Sequence, residues 1–359
     1  MANNSATDAV VLVGGQGTRL RPLTMSTPKP MLPVAGVPFL THLLSRIAEA
    51  GISHVVLGTS FRAEVFEAHF GDGSALGLDI EYVTETEPLG TGGGIRNVLP
   101  KLRADNVMIF NGDVLSSTEL GGILDTHEST EADVTLHLTR VSDPRAYGCV
   151  PTNDEGRVTA FLEKTQDPPT DQINAGCYVF RREYIEKIPT GRAVSVEREV
   201  FPQLLLEGVR IFGHVDTAYW RDMGTPADFV RGSAELVRGI ATSPALPDQH
   251  GESLVHPGAG VAPGALVIGG SVIGRGAEVQ AGARLDASIL FQGACVEAGA
   301  VVERSIIGAG ARIGPRAVVR DAVIGDGASV GARCELIRGA RVWPGIQIPD
   351  GGIRFSTDV

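Results

Sequence analysis

No apolar run in this 359-residue chain approaches the ~18 residues that a membrane-crossing helix needs, which excludes a helical membrane protein. Positive charge is also scarce. Lysine and arginine number 31 against 42 aspartates and glutamates, and the net charge of −11 counts against partners of the same sign, nucleic acid or an anionic membrane surface. The four cysteines, Cys149, Cys177, Cys295 and Cys334, have no C-x-x-C spacing; in a long acidic chain they read as reduced thiols of a cytoplasmic protein. Met1 to Asp8 is polar and lacks a basic stretch followed by an apolar one, so no signal peptide is expected. What is present suffices for folding. Hydrophobic residues make up 43%, and the length points to two domains at ~150 residues each.

The two domains differ in composition. Residues 251–359 contain no lysine and three aromatics (Phe291, Trp343, Phe355), yet hold 21 of the 46 glycines. Between the regimes, Ile240 to Glu252 (IATSPALPDQHGE) carries two prolines and no periodicity, the mark of a linker. Beyond it aliphatic residues recur every six positions: Val261, Val267, Ile273, Val279, Leu285 and, after some five-residue steps, Ile307, Ile313, then Ile324, Val330, Leu336, Val342 and Ile348. A hexad with an aliphatic first position and a small fifth one suits one flat face of a parallel β-helix. The aliphatic side chain points into a narrow prism, the small residue lets the corner close, and glycine supplies turn dihedrals. Three hexads make a coil of about 18 residues, so roughly five coils are expected. A Gly/Ala-rich disordered tail would not keep such a phase. The pattern resembles the left-handed hexapeptide-repeat helix, an exception to right-handed crossovers.

The first regime alternates strand-like and helix-like segments. Asp8–Val13 (DAVVLV) is a short apolar run fit for a central parallel strand. Phe39–Ala50 has helical spacing and ends before Gly51, a C-cap residue. His54–Thr59, Asp79–Thr84, Val107–Phe110 and Asp133–Leu138 continue as strands, with a helix over Phe61–Phe70. This order predicts an α/β fold with a parallel, doubly wound, Rossmann-like sheet whose ligands sit at the carboxyl ends of its strands. The expected organisation is an α/β domain over 1–240, a linker over 241–252, and a left-handed parallel β-helix over 253–359.

The first strand-to-helix turn reads Gly14-Gly15-Gln16-Gly17-Thr18-Arg19-Leu20-Arg21-Pro22-Leu23-Thr24, and Pro28-Lys29-Pro30 follows. Three glycines in four residues after a buried strand let backbone N–H groups approach an anion. Arg19, Arg21 and Lys29 add positive charge. No G-K-[ST] follows, so this is not a Walker A loop, and Leu20 occupies the last glycine's place in G-x-G-x-x-G. Alone, the glycines would read as a tight turn with solvated arginines. With their flanks, LVGGQGTRLRPLT…PKPMLPVAG resembles the signature of the sugar-1-phosphate nucleotidylyltransferases. Further pieces stand in the family's order: Glu87-Pro88-Leu89-Gly90-Thr91-Gly92, Asn111-Gly112-Asp113, Phe161-Leu162-Glu163-Lys164, Asn174-Ala175-Gly176, and Trp220-Arg221-Asp222-Met223-Gly224-Thr225. The resemblance runs from about residue 8 to the C-terminus, since many members also carry the hexapeptide helix. Within the family it is strongest to the bacterial, notably actinobacterial, mannose-1-phosphate guanylyltransferases. One departure is Thr165, where the family often has proline after the E-K pair.

The resemblance makes residues 1–240 the catalytic domain and implies attack of a sugar phosphate on the α-phosphorus of a nucleoside triphosphate, with pyrophosphate leaving. The nucleophile is already an anion, so no general base is needed. The site must align two polyanions and hold the charge developing on phosphorus. Arg19 and Lys29 would neutralise the triphosphate and the leaving pyrophosphate, with Leu12, Gly14, Gly15, Gly17 and Thr18 beside the nucleotide. Asp113 ends the strand-like VMIFNGD, where a switch-point ligand would lie, and joins Arg19 and Lys29 as the catalytic set. Asp222, on W-R-D, supplies a second carboxylate. Two hard oxygen ligands with open water positions suit Mg2+; a lone aspartate in either place would read as a turn or cap residue.

On the sugar side, Glu163 would accept hydroxyl hydrogen bonds and Lys164 would meet the phosphate as a point charge. Gly112, Gly148, Asn174 and Gly176 would complete that pocket. Glu163-Lys164 would otherwise read as helix surface, and Trp220 as core rather than a platform for a sugar ring. Pro88, Gly90 and Thr91 would line the nucleobase, and Glu85 lies where the family places a base-reading side chain. A carboxylate only accepts hydrogen bonds. Guanine offers two adjacent donors, N1–H and the N2 amino group, so Glu85 favours GTP, with Glu81 and Glu87 nearby. Mannose 1-phosphate would then be the acceptor; dTTP or UTP with glucose 1-phosphate is the alternative within the family.

Two other classes compete. A hexapeptide acyltransferase commonly uses a histidine on the helix, but the only histidine after residue 250 is His256, ahead of the regular array. A non-catalytic regulatory subunit would be expected to lose phosphate or metal groups, and Arg19, Lys29, Asp113 and Asp222 are all present. The β-helix is expected to join subunits into a homo-oligomer, because terminal coils must be covered or paired.

Overall fold

The computed structural model describes residues 7–60, 62–246 and 251–354. Residues 1–6 of the polar Met1–Asp8 stretch, Phe61 of the expected helix, residues 247–250 of the expected linker, and Phe355 lie outside the described residues. The chain divides into two compact units, Met1–Gly15 with Leu43–Trp220, and Gln16–His42 with Arg221–Val359.

The first unit is built on a nine-stranded sheet. Its strands Thr7–Leu12, His54–Thr59, Asp79–Thr84 and Asn106–Asn111 run parallel, with Thr7–Leu12 between His54–Thr59 and Asn106–Asn111. His54–Thr59 is buried at every position, as its apolar run HVVLGT requires. Beyond Asn106–Asn111 the sheet turns antiparallel. Gln172–Arg181 inserts between Asn106–Asn111 and Val134–Arg140, antiparallel to both. The sheet is therefore mixed, not parallel throughout as expected. The physical reason is that QINAGCYVFR, buried at eight of its ten positions, pairs as a strand that the order of local patterns had left out. Its core joins the two halves of the sheet through Val107, Ile109, Leu136, Tyr178 and Phe180. Glu163 lies on a two-residue strand, Leu162–Glu163, paired antiparallel with Gly148–Cys149, not on a helix surface. All four cysteines are free and buried.

In the second unit, short strands stack as three parallel sheets, six rungs on two faces and five on the third. Partners lie 18 residues apart at Leu254–Val272 and 17 apart at Val272–Ile289, because five-residue steps shorten some coils. These sheets fit the left-handed hexapeptide-repeat helix. Val279, Leu285, Ile307, Ile313, Ile324 and Val330 fill the prism with Ala277, Ala283, Ala311 and Ala328. Val261 in the first rung is the exception, at 39% exposed. Inside one corner runs a ladder of buried serines: Ser288 N–H donates to Ser271 Oγ, Ser305 N–H to Ser288 Oγ, and Ala322 N–H to Ser305 Oγ, at 3.1 to 3.2 Å. Each hydroxyl satisfies a backbone donor that the narrow core could not hydrate. The Pro226–Val237 helix starts at an N-cap, where Asp228 N–H donates to Thr225 Oγ1. No helix among the described residues is long and apolar enough to cross a membrane.

Candidate active site

Residues of the glycine-rich motif fall in both units, Leu12 to Gly15 in the first and Gln16 to Lys29 in the second. In the first unit Leu12 ends the first strand and its carbonyl accepts from Gly112 N–H at 2.9 Å. The Gly14 carbonyl accepts from Ser60 Oγ at 2.6 Å, and Gly15 is exposed with open space where a side chain would project. In the second unit Gly17 takes φ 58°, a left-handed turn that glycine adopts without strain. A Cβ there would stand 2.9 Å from the Thr24 methyl and 3.0 Å from Lys29 Cβ, while Thr24 Oγ1 donates to the Gly17 carbonyl at 2.8 Å. Thr18–Leu20 forms a short 3-10 helix with Thr18 and Arg19 exposed and Leu20 buried. The Arg19 guanidinium lies over Gly224, both terminal nitrogens 2.9 Å from where a Cβ would be. Arg19 is thus held beside the Asp222-Met223-Gly224 segment, a proximity the spacing of the two motifs does not reveal. Lys29 is 6% exposed.

Glu85, Pro88, Gly90 and Thr91, the residues expected to line the base, lie in the first unit. Glu85 Oε2 accepts from Leu89 N–H at 3.3 Å, and its Oε1 lies 2.8 Å from where a Cβ on Gly94 would stand. Burial pushes the Glu85 carboxyl up, against the Leu89 N–H that lowers it. Glycines are poor helix formers, at about 1 kcal/mol each, yet the Gly90–Asn97 helix holds four of them. Close approach explains it: a Cβ at Gly90 would meet the Val194 carbonyl oxygen at 2.6 Å, and one at Gly92 the Val194 side chain at 2.9 Å. Pro88 is exposed, and Gly90 has φ 69°. Thr91 Oγ1 donates to Glu197 Oε2 at 2.8 Å and accepts from Val196 N–H at 2.9 Å, so its hydroxyl is engaged within the protein. Of the neighbouring carboxylates, Glu81 is bound by Lys101, Arg103 and His54, which hold it down at about 2. Glu87 is exposed.

Gly112 and Asp113 follow the carboxyl end of Asn106–Asn111, and Gly176 lies against its last residue. A Cβ at Gly112 would stand 2.7 Å from Val13 Cγ1, so glycine lets the Asp113 turn rest on the end of the first strand. Glu163 faces Gly148 across the ladder, with its Oε2 3.0 Å from a Cβ position there. Lys164 takes φ 53° and its ammonium is 3.8 Å from Glu163 Oε1. A proline at 165 would drive the preceding residue toward extended backbone, so Thr165 is compatible with the turn that Lys164 makes. The Asn174 amide is committed at both ends: its oxygen accepts from Gly176 N–H at 3.0 Å and its nitrogen donates to Tyr178 Oη at 2.9 Å. Gly176, at φ 81°, packs on Asn111. Trp220 Nε1 donates to the Ala175 carbonyl at 2.9 Å, and Tyr147 meets the indole edge-on.

Among the described residues no group of three or more His, Cys, Asp or Glu side chains could hold a metal ion. Asp113 and Asp222 are each partly buried, one in each unit. Their carboxylate oxygens are hard donors of the kind Mg2+ takes while keeping several waters, so the donor chemistry fits.

A family model described as Nucleotidyl transferase matches residues 8–239. The chain belongs to the nucleotidyl transferase family. A second model, described as GMPPB C-terminal domain, matches residues 249–351 of this nucleotidyl transferase. The mannose-1-phosphate guanylyltransferase of Mycobacterium tuberculosis is 72% identical to it over 353 residues, covering 98% of each chain. The mannose-1-phosphate guanylyltransferase catalytic subunit beta of Drosophila melanogaster is 35% identical over 266 residues, covering 72% of each. Among solved structures, HddC from Yersinia pseudotuberculosis complexed with GMP-PN is 27% identical with a TM-score of 0.56, covering 64% of this chain and 98% of that one.

Three features of the nucleotidyl transferase site escaped the sequence reasoning. Tyr178, fully buried, takes hydrogen bonds from the side chains of Asn174 and Asn111 and so ties the Asn174 turn to the residue before Gly112. Burial and the nearby Glu197 charge push its phenol well up. Glu197 anchors both Thr91 and Ser195. Gly224 gives Arg19 its resting place. The tyrosine could have been found from its place two residues after Asn174-Ala175-Gly176; the other two depend on contacts distant in sequence.

Proposed function

We propose that this enzyme transfers a guanylyl group from GTP to mannose 1-phosphate, giving GDP-mannose and pyrophosphate. The observation that carries the reading is 72% identity over 98% of both chains with a mannose-1-phosphate guanylyltransferase. In this reading a phosphate oxygen of mannose 1-phosphate attacks the α-phosphorus of GTP in line, and the bond to the β-phosphate bridging oxygen breaks. Arg19 and Lys29 receive the charge of the triphosphate and of the departing pyrophosphate. Leu12, Gly14, Gly15, Gly17 and Thr18 line the nucleotide, and Pro88, Gly90 and Thr91 flank the base, with Glu85 taking the two donors of guanine. Glu163, Lys164, Asn174 and the backbone of Gly112, Gly148 and Gly176 orient the sugar phosphate. Asp113 and Asp222 would hold Mg2+, which when bound supplies charge stabilisation at the transferring phosphoryl group.

Residues 1–240 serve as the catalytic domain, 241–252 as the linker and 253–359 as a left-handed β-helix through which subunits associate in the cytoplasm, without nucleic-acid or membrane partners. The experiment is a panel of GTP, ATP, UTP and dTTP against mannose, glucose and galactose 1-phosphates, read by pyrophosphate release. The expected maximum is GTP with mannose 1-phosphate; a maximum with dTTP or UTP overturns the guanylyl assignment.

A further inference from the structure

The segment that carries the phosphate-loop cations is held by the last rungs of the β-helix. Ser26 Oγ donates to Asp326 Oδ2 at 2.8 Å, across 300 residues of sequence. Arg341 Nη1 donates to the Arg21 carbonyl at 2.6 Å. The two donors and acceptors come from successive coils: Asp326 follows the strand Val323–Ile324, and Arg341 opens the strand that pairs with it. The other oxygen of Asp326 accepts from Ala309 N–H at 2.9 Å, one coil back, so the β-helix fixes the carboxylate before Ser26 reaches it. Arg21 and Ser26 flank the short turn Leu23–Met25, whose Thr24 lies under Gly17 together with Lys29. Further along, a Cβ at Gly36 would stand 1.6 Å from His256 Nε2, and Ala35 N–H donates to Ser233 Oγ at 3.0 Å. The segment Gln16–His42 accordingly falls in one compact unit with residues 221–359.

We propose that Asp326 and Arg341 are positioning residues for the phosphate site: the β-helix holds the Arg21–Ser26 bend, and through it Gly17, Arg19 and Lys29, in the form that receives the triphosphate. This rests on the reading of Arg19 and Lys29 as the triphosphate cations. The physical ground is preorganisation. Residues 18–31 are short 3-10 turns with few backbone hydrogen bonds of their own, and a loop ordered before its ligand arrives spares the ligand that entropy. The β-helix then acts on chemistry and not only on assembly.

The test uses the full-length protein with Ser26→Ala, Asp326→Ala, Asp326→Asn, Arg341→Ala and the Ser26→Ala/Asp326→Ala double variant. Hydrogen exchange at the Leu20, Met25 and Met31 amides reports the order of the loop independently of catalysis. Faster exchange is expected in the alanine variants, with KM for GTP raised about threefold to tenfold, the scale of one hydrogen bond. KM for mannose 1-phosphate should stay within about twofold, since the sugar-side residues make no use of these bonds. The double variant should be no worse than Asp326→Ala alone, and Asp326→Asn, which keeps an acceptor, should behave nearly as wild type. Unchanged exchange in Ser26→Ala and Arg341→Ala, which leave the prism intact if Asp326→Ala fails to fold, overturns the brace. Faster exchange with unchanged KM for GTP overturns its link to the phosphate site. An Arg19→Gln enzyme with unaltered GTP kinetics would instead overturn the cation reading on which the link rests.

Discussion

Replacing Glu85 by glutamine tests base recognition at a single atom. In the structure Glu85 Oε2 already accepts from Leu89 N–H, and Oε1 is held against the bare Cα of Gly94. A glutamine amide must keep its oxygen on the Leu89 donor, because a donor facing a donor would leave both unpaired. The amide nitrogen then takes the place of Oε1, the oxygen left for the N1–H and N2 amino donors of guanine if Glu85 reads the base. A mismatched or unpaired polar group at a half-buried site costs roughly 1–3 kcal/mol, which is about a fivefold to 150-fold loss in kcat/KM for GTP at 1.4 kcal/mol per decade. ITP lacks the N2 amino group and should lose less, so the ratio of kcat/KM for GTP over ITP should fall in the variant. The pH dependence has a definite sign. Burial raises the Glu85 carboxyl above its usual range, so the free enzyme loses its acceptor on acidification at a higher pH than an exposed glutamate would. Discrimination by the wild type should fade as pH drops through that raised value, and Glu85→Gln, which does not titrate, should show no such step. An unchanged GTP/ITP ratio at neutral pH would remove Glu85 from base recognition.

Gly224→Ala places a methyl 2.9 Å from both terminal nitrogens of Arg19. The long arginine can swing aside, so the unfolding midpoint should barely move while kcat falls about tenfold to 100-fold, as when a charge-stabilising donor is misplaced; wild-type turnover would separate Arg19 from the chemistry. Ser288→Ala removes the acceptor of the buried Ser305 N–H, at a cost of about 1–3 kcal/mol visible in urea unfolding. Its kcat should match wild type, and an undiminished unfolding free energy would show that the ladder's hydroxyls carry no stability.

What could be read from the residues depended on how local the determining contacts were. The hexads of the β-helix are legible because each side chain's fate is set by its own phase, with one aliphatic pointing inward per face. Val261 breaks the rule only because no earlier coil covers it. The strand His54–Thr59 is likewise written in its own apolar run. Gln172–Arg181 was legible as chemistry, through Asn174 and Gly176, but not as the antiparallel strand that makes the sheet mixed. Its pairing partners lie tens of residues away in sequence, and nothing in its own pattern names them. The strand that carries Glu163 was illegible for the same reason, since a two-residue strand is defined by its partner Gly148 and not by any period of its own. Glu85 was singled out through the resemblance alone, and the engagement of Glu81 by Lys101 and Arg103 is a contact that the sequence does not show.

The division of the chain carries the sharpest consequence of non-local contacts. A contiguous sequence match covers residues 8–239, whereas the compact unit built around the β-helix takes in Gln16–His42. Both descriptions hold, because motif order follows the chain and packing does not. A protein ending near Arg238 would keep Gly17, Arg19 and Lys29 and lose Asp326, Arg341 and His256, the groups that pack against their segment. Its phosphate loop would then have to pay the ordering entropy that the full chain has already met, about 1–2 kcal/mol for each residue left free. Loss of the β-helix should therefore weaken GTP binding even in a truncated enzyme that stays soluble and folded, and calorimetric titration with GTP measures it directly. Equal GTP affinity in the truncated and full-length proteins would mean that the segment is ordered by its own turns, and that the β-helix contacts ride on a loop already formed.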